Sequence, residues 1–320
     1  MVMHKNKKYD IVGIGNAIVD LIAEVDDSYL EKNSINKGSM SLVDYDVANK
    51  IGNEVDIVKT ISGGSVANSI VCIAQQNLKT VFIGKVNQDE LGKKFAKGLA
   101  EENVEFKIIK SLVNKHTARC IILVSTDAER TMNTYLGVSQ ELTEEDVDLN
   151  IIEESSILYL EGYLWDLDNA KKAIKKSIST AINSETKIAF SISDAFCVDR
   201  FREEFIDLVN NSADIIFANE SEIKSLFETS ELGTAIKKCQ DTKKIFAVTL
   251  GDKGAKIIYK NEIVNIKAEI IDKLVDTTGA GDLFAAGFLA EYIRSQDLES
   301  SGKEGVKMAS IIIQQFGARV

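Results

Sequence analysis

Apolar and polar residues along this 320-residue chain fall into blocks whose periods separate strands from helices. Residues 9–15 form a short apolar run, and 18–25 continue with the two-residue alternation of a partly exposed second strand. Helical spacing predicts helices over 44–52, 66–76, 91–102, 170–183 and 199–210. Short apolar runs predict buried strands at 80–84, 119–125, 187–193, 215–217 and 245–250. Strand and helix taking turns is the rhythm of an α/β fold with a mostly parallel sheet and helices on both faces. Two stretches break it. Residues of about 17–45 and 110–140 are strand-rich without intervening helices, and are expected to pair into a small antiparallel layer standing off the main sheet as a lid. No repeat, low-complexity tract or linker interrupts the chain, so a single domain over 1–320 is expected.

In open parallel sheets ligands bind beyond the carboxyl ends of the strands. Asn16, Gly63-Gly64, Asn219 and Gly251 each follow a strand-like run, so they are candidates to meet in one cleft. Gly13-Ile14-Gly15 suggests a dinucleotide turn, but Ile18 replaces the third glycine and Asp20 comes too soon for a ribose-binding acid, which argues against hydride transfer. Asn16 and Asp20 instead supply an amide and a carboxylate suited to neighbouring sugar hydroxyls, or a solvated turn with a capping acid. Gly63-Gly64 with Asn68 offers a flat platform beside an amide, or only a tight turn. Asn219 and Glu222 can share a helical face and hold a hydrated Mg²⁺, or form a helix cap. Thr249, Gly251 and Gly254 suit phosphate oxygens or an adenine edge, although a hairpin explains the glycines equally well. Arg130 sits at a predicted hairpin in the lid, from which it could reach a transferring phosphate or simply face solvent.

The most informative stretch is Asp276-Thr277-Thr278-Gly279-Ala280-Gly281-Asp282, followed by the apolar run 283–290. A helix opening at Gly281 or Asp282 would present unpaired N–H groups and its positive dipole end to a developing anion. Asp282 at that helix start could take a proton from a hydroxyl attacking a phosphoryl group, or serve as an ordinary cap.

Composition narrows the classes. A net charge of −11 argues against a nucleic-acid surface. Two histidines and four widely spaced cysteines leave little material for metal clusters, triads or disulfides, and fit a reducing, cytoplasmic setting. No run of membrane-spanning length appears, nor a secretory leader, so no membrane partner is expected. Proline is absent where roughly 16 would be expected at ordinary usage. Its absence implies replacement of prolines in a natural parent, with Leu167, Ala195 and Val320 as candidate positions.

These pieces in this order resemble the ribokinase-like, or PfkB, family of carbohydrate and nucleoside kinases, over nearly the whole chain. Gly63-Gly64 with Asn68 resembles its N-terminal signature, Asn219 to Glu222 its N-x-x-E motif, and Asp276 to Asp282 its D-T-x-G-A-G-D signature. The resemblance implies a three-layer α/β/α sandwich with a β-sheet lid, ATP as donor, Mg²⁺ as cofactor and Asp282 as base. It further implies an anion hole from Gly279, Ala280 and Gly281, and Mg²⁺ and phosphate held by Asn219 and Glu222. Thr249, Gly251, Gly254 and Thr278 would line the nucleotide site, and Asn16, Asp20, Gly63, Gly64, Asn68 and Arg130 the acceptor site. Members often respond to K⁺, and Asp276 resembles a residue near that ion. The opening Gly15-Asn16-Ala17-Ile18-Val19-Asp20 resembles adenosine kinases, with Ala17 departing from their pattern. The expected activity is therefore phosphorylation of adenosine by ATP. A sugar kinase of the same family and a silent nucleoside-binding protein are the alternatives, and the chain is expected as a monomer or as a homodimer through the lid.

Overall fold

The computed structural model describes residues 7–106, 114–127 and 129–319. The chain opens with β1 (Tyr9–Ile14), β2 (Ile18–Glu24), α1 (Asp27–Lys32), β3 (Met40–Leu42), α2 (Tyr45–Glu54), β4 (Ile57–Gly63) and α3 (Ser65–Gln75). It continues through β5 (Thr80–Ile83), α4 (Glu90–Glu101), β6 (Ala118–Val124), β7 (Arg130–Tyr135), α5 (Leu149–Glu153), β8 (Ser155–Glu161) and α6 (Asp168–Asn183). Next come β9 (Lys187–Ser191), α7 (Ala195–Asn211), β10 (Ile215–Asn219), α8 (Glu220–Leu226), α9 (Leu232–Thr242) and β11 (Ile245–Thr249). The last elements are β12 (Ala255–Tyr259), β13 (Glu262–Ile266), α10 (Ala280–Ser295) and α11 (Leu298–Ile312).

Eight strands form the main sheet in the order β13-β12-β11-β10-β9-β8-β1-β5, parallel from β5 to β11 and antiparallel at β12 and β13. The parallel strands are apolar on both sides because helices cover both faces. On one face Val66, Ile70, Phe284 and Phe288 of α3 and α10 pack over Ile11, Phe82 and Phe217. On the other, Ile174, Phe205 and Ile223 of α6, α7 and α8 pack over Val12, Leu158 and Phe190. The fold is the expected ribokinase-like α/β sandwich with a separate small sheet.

That second sheet, ordered β3-β7-β6-β2-β4, departs from the expectation in three ways. It is mixed, since β2–β6 and β3–β7 pair in parallel. A helix, α1, stands inside the stretch read as strands only. Residues 57–63, not among the predicted strands, join it as β4 beside β2. Part of the expected 110–140 stretch, residues 110–113 and 128, lies outside the described residues, as does Val320. Strand β8 is not among the predicted strands; its apolar run Ile157–Leu160 is buried on both faces as a central strand between β9 and β1, preceded by helix α5. Helix α7 begins at Ala195 rather than near 199 because the Asp194 carboxylate accepts from the Cys197 N–H at 2.6 Å.

Candidate active site

The chain runs from β1 outward to β5 on one side and to β8–β11 on the other, and a cavity of about 420 Å³ opens beyond the strand ends near this reversal. Its floor includes Asn219 and Thr249 at the ends of β10 and β11. One wall is made by Gly64, Ser65 and Asn68 of α3, and by Thr278, Gly279, Gly281 and Asp282 where α10 begins. The second sheet supplies Ile18, Asp20, Met40, Ile122 and Met132.

Asp282 stands in the first turn of α10. Its Oδ1 accepts from Ser65 Oγ at 2.6 Å and its Oδ2 from Asn68 Nδ2 at 3.0 Å. Burial pushes its carboxyl above the ordinary range, opposed by those two hydrogen bonds and by the charge of Arg319. A carboxylate poised in this way can accept a proton from a hydroxyl in the cleft. Gly279, with φ +79°, turns the backbone into α10, and a Cβ there would lie 2.7 Å from the Ala318 Cβ. Among the described residues, the N–H groups of Gly281 and Asp282 donate to nothing, which leaves two amides at the helix start for an anion. Ala280 is different from the expectation: its N–H is taken by the Thr277 carbonyl at 3.2 Å.

The sequence profile of the pfkB family carbohydrate kinases matches residues 10–320. This chain belongs to the pfkB family. A probable sugar kinase from Rhizobium etli CFN 42 is similar at 39% identity and a TM-score of 0.91, covering 98% of this chain and 95% of that one. The adenosine kinase from Sinorhizobium meliloti is 40% identical with a TM-score of 0.89, covering 98% and 96%. Adenosine kinase of Saccharomyces cerevisiae is 27% identical, covering 96% of this chain and 95% of its own length. As a pfkB kinase the protein is an ATP-dependent phosphotransferase.

The expected acceptor residues of this pfkB kinase divide into cleft and scaffold. Asp20, Gly64 and Asn68 line the cleft, and burial drives the Asp20 carboxyl up to about 7 against the pull of Arg319 and Arg130. Gly64 needs φ +100°, and a Cβ on it would meet the Asn16 carbonyl at 2.1 Å. Asn16 itself is buried away from the cavity, held by Glu161 and by Ser139, whose hydroxyl donates to Asn16 Oδ1 at 2.9 Å. Gly63 pairs with Ile18 at the end of β4. Arg130 does not face solvent from a hairpin tip: it opens β7 and donates to Asp276 and, at 3.0 Å, to Thr278 Oγ1. Its Nε is buried without a partner among the described residues.

Of the residues expected at the nucleotide and Mg²⁺, Asn219 and Glu222 form a complete capping box and also line the cavity, so the structural and the chemical readings coexist. Both Glu222 oxygens accept from Asn219, at 2.6 and 2.9 Å, and burial raises its carboxyl to about 7. Three or more His, Cys, Asp or Glu side chains never cluster as a metal cage among the described residues. One buried carboxylate, both of its oxygens already accepting from Asn219, beside an amide at the cavity edge fits Mg²⁺ that keeps its own waters, not a direct protein cage. Gly251 and Gly254 lie in the turn after β11 and are not part of the cavity lining.

Three contributors escaped the sequence reading. Glu161, at the end of β8 and 1% exposed, accepts from Asn16 N–H at 2.8 Å, Asn16 Nδ2 at 2.9 Å and Val66 N–H at 3.0 Å. Burial still outweighs these bonds and lifts it to about 7. Ser65 is the second partner of Asp282. Arg319 reaches Asn68 Oδ1 at 3.1 Å across 251 residues of sequence. Only Ser65 carried a local signal, as the cap-type residue beside the diglycine.

Proposed function

We propose that this kinase transfers the γ-phosphoryl group of ATP to the 5′-hydroxyl of adenosine, giving AMP and ADP. The observation that carries the reading is Asp282 at the cleft wall, fastened by Ser65 and Asn68 beside the open amides of Gly281 and its own N–H. Asp282 takes the proton from the attacking hydroxyl, while those amides and the α10 dipole stabilise charge on the migrating phosphoryl group. Asn219 and Glu222 would hold the waters of Mg²⁺, which when bound neutralises charge on the ATP phosphates. Thr249 and Thr278 offer hydroxyls to the nucleotide.

Adenosine is favoured by the roof. Ile18, Met40, Ile122 and Met132 give the second sheet an apolar underside suited to a purine face, and Asp20 of the same sheet would accept from ribose hydroxyls. In this reading the second sheet acts as a lid that excludes water during transfer. The similarity to a probable sugar kinase keeps a sugar acceptor as the competing outcome. ADP release is to be followed with ATP and Mg²⁺, without acceptor and with adenosine, ribose or fructose. Adenosine should give the highest kcat/KM; a larger value for a sugar replaces the acceptor, and none with any acceptor refutes the kinase chemistry at this site.

A further inference from the structure

The described chain ends in a tail, residues 313–319, that returns to the cleft wall. The Ile313 carbonyl accepts from the Val275 and Asp276 N–H groups at 2.8 and 3.2 Å, and the Gly317 N–H donates to Asp276 Oδ2 at 3.0 Å. Ala318 lies against Gly279 and lines the cavity. These contacts deliver Arg319 to Asn68, where its Nε donates to Oδ1 at 3.1 Å while Asn68 Nδ2 donates to Asp282 Oδ2 at 3.0 Å.

Two chemical facts give this relay a direction. A guanidinium can only donate, so the Asn68 oxygen must face Arg319. The amide then turns its NH₂ to Asp282, and an ionised carboxylate can only accept. Without the arginine, Asn68 could flip and present its oxygen to Asp282, which would favour a protonated acid. Arg319 is not placed for its own satisfaction, since its Nη2 is buried and donates to nothing among the described residues.

We propose that Arg319 is a positioning residue for phosphoryl transfer: it fixes the Asn68 amide so that Asp282 is held and aimed as the proton acceptor. The inference rests on the kinase reading above for its role, but its physical content does not need turnover. Charges that reach Asp282 or are reached by it come from Asp20 of β2, Tyr159 and Glu161 of β8, Tyr163 just after β8, and Arg319. Arg319 is the cation in this set, and it lowers the Asp282 carboxyl against burial.

The test uses the full chain labelled with ¹³C at aspartate carboxyls, with the Asp282 signal assigned by its loss in Asp282→Asn. Arg319→Gln, Arg319→Ala and Arg319→Lys are titrated beside the parent, and kcat and KM are measured on the same samples. The Asp282 midpoint should rise by about one pH unit in Arg319→Gln or Arg319→Ala, and stay near the parent value in Arg319→Lys. In the first two, kcat should fall about tenfold or more with KM for ATP changed less than about threefold. An unmoved midpoint in a folded Gln or Ala variant overturns the proposal, as does failure of both to fold, which would make the arginine a structural tie. A midpoint that moves in the Gln and Ala variants, when the parent phosphorylates no acceptor, upholds the relay and sinks the kinase reading instead.

Discussion

Replacing Asp282 by asparagine separates holding the substrate from activating it. The side chain keeps its shape, and its two partners can adapt. The new oxygen can accept from Asn68 Nδ2, now 3.0 Å from Oδ2, and the new NH₂ can donate to Ser65 Oγ, now 2.6 Å from Oδ1, because a hydroxyl also accepts. Each charge-assisted bond becomes a neutral one, a loss of about 1 kcal/mol apiece, while an incompletely solvated charge disappears. Ligand affinities should therefore stay within about threefold. Turnover should not: without a proton acceptor kcat is expected to fall by about 10²–10⁴, or about 3–5 kcal/mol of barrier. Calorimetric binding of ATP and adenosine beside an ADP-release assay reads both quantities. The stability profile adds an independent check. Burial places the Asp282 carboxyl above its ordinary value of 3.8, so the folded chain binds this proton more tightly than the unfolded chain. The group's contribution is greatest at low pH and declines as pH rises from about 3.8 through the raised folded value. Asparagine lacks that slope, so the variant's urea midpoint should gain on the parent's as pH increases. A kcat within tenfold of the parent, or a gain that shrinks with pH, would refute the assignment of a buried base.

Glu161→Gln should destabilise the chain by about 1–3 kcal/mol in urea unfolding, because an amide NH₂ must then face one of the Asn16 or Val66 donors; an unchanged midpoint would show that these bonds do not hold β8 to α3. Gly279→Ala places a Cβ 2.7 Å from Ala318 at φ +79°, so it should cost about 1–2 kcal/mol and depress kcat more than it raises KM. Equal loss in both parameters would argue against an anion-binding turn. Ala195→Pro should stabilise by about 0.5 kcal/mol in thermal or urea melts, since Ala195 is the first residue of α7, its N–H has no acceptor among the described residues, and Asp194 before it is extended at φ −158° and ψ 166°. Leu167 is a poorer site for proline: its φ of −108° lies off the ring's range and Asp166 before it is helical, so Leu167→Pro should destabilise.

The predicted strands and helices and the turn from Asp276 to Asp282 were legible for the same reason. Strand and helix periods, and the run from Asp276 to Asp282, are properties of neighbouring residues. A helix start exposes its amides wherever it packs, so the open N–H groups of Gly281 and Asp282 follow from the local sequence. Asn219 and Glu222 were readable as a cap and as a cleft pair because three residues of one helix settle both. The second sheet was harder, since β4 has almost no alternation of its own and becomes a strand only through β2.

What the tertiary structure alone decided is which side chains complete the polar relay. Ser65 meets Asp282 across 217 residues, Arg130 meets Asp276 across 146, and Arg319 meets Asn68 across 251. Periodicity carries no information about such pairs, because each partner is an ordinary polar residue until packing removes water from around it. Burial then makes an unpaired group costly and a paired one directional, which is why Glu161 turned from the end of an unrecognised strand into the anchor of Asn16 and α3. The local sequence set the backbone amides and the acid of the site; long-range packing set where they point.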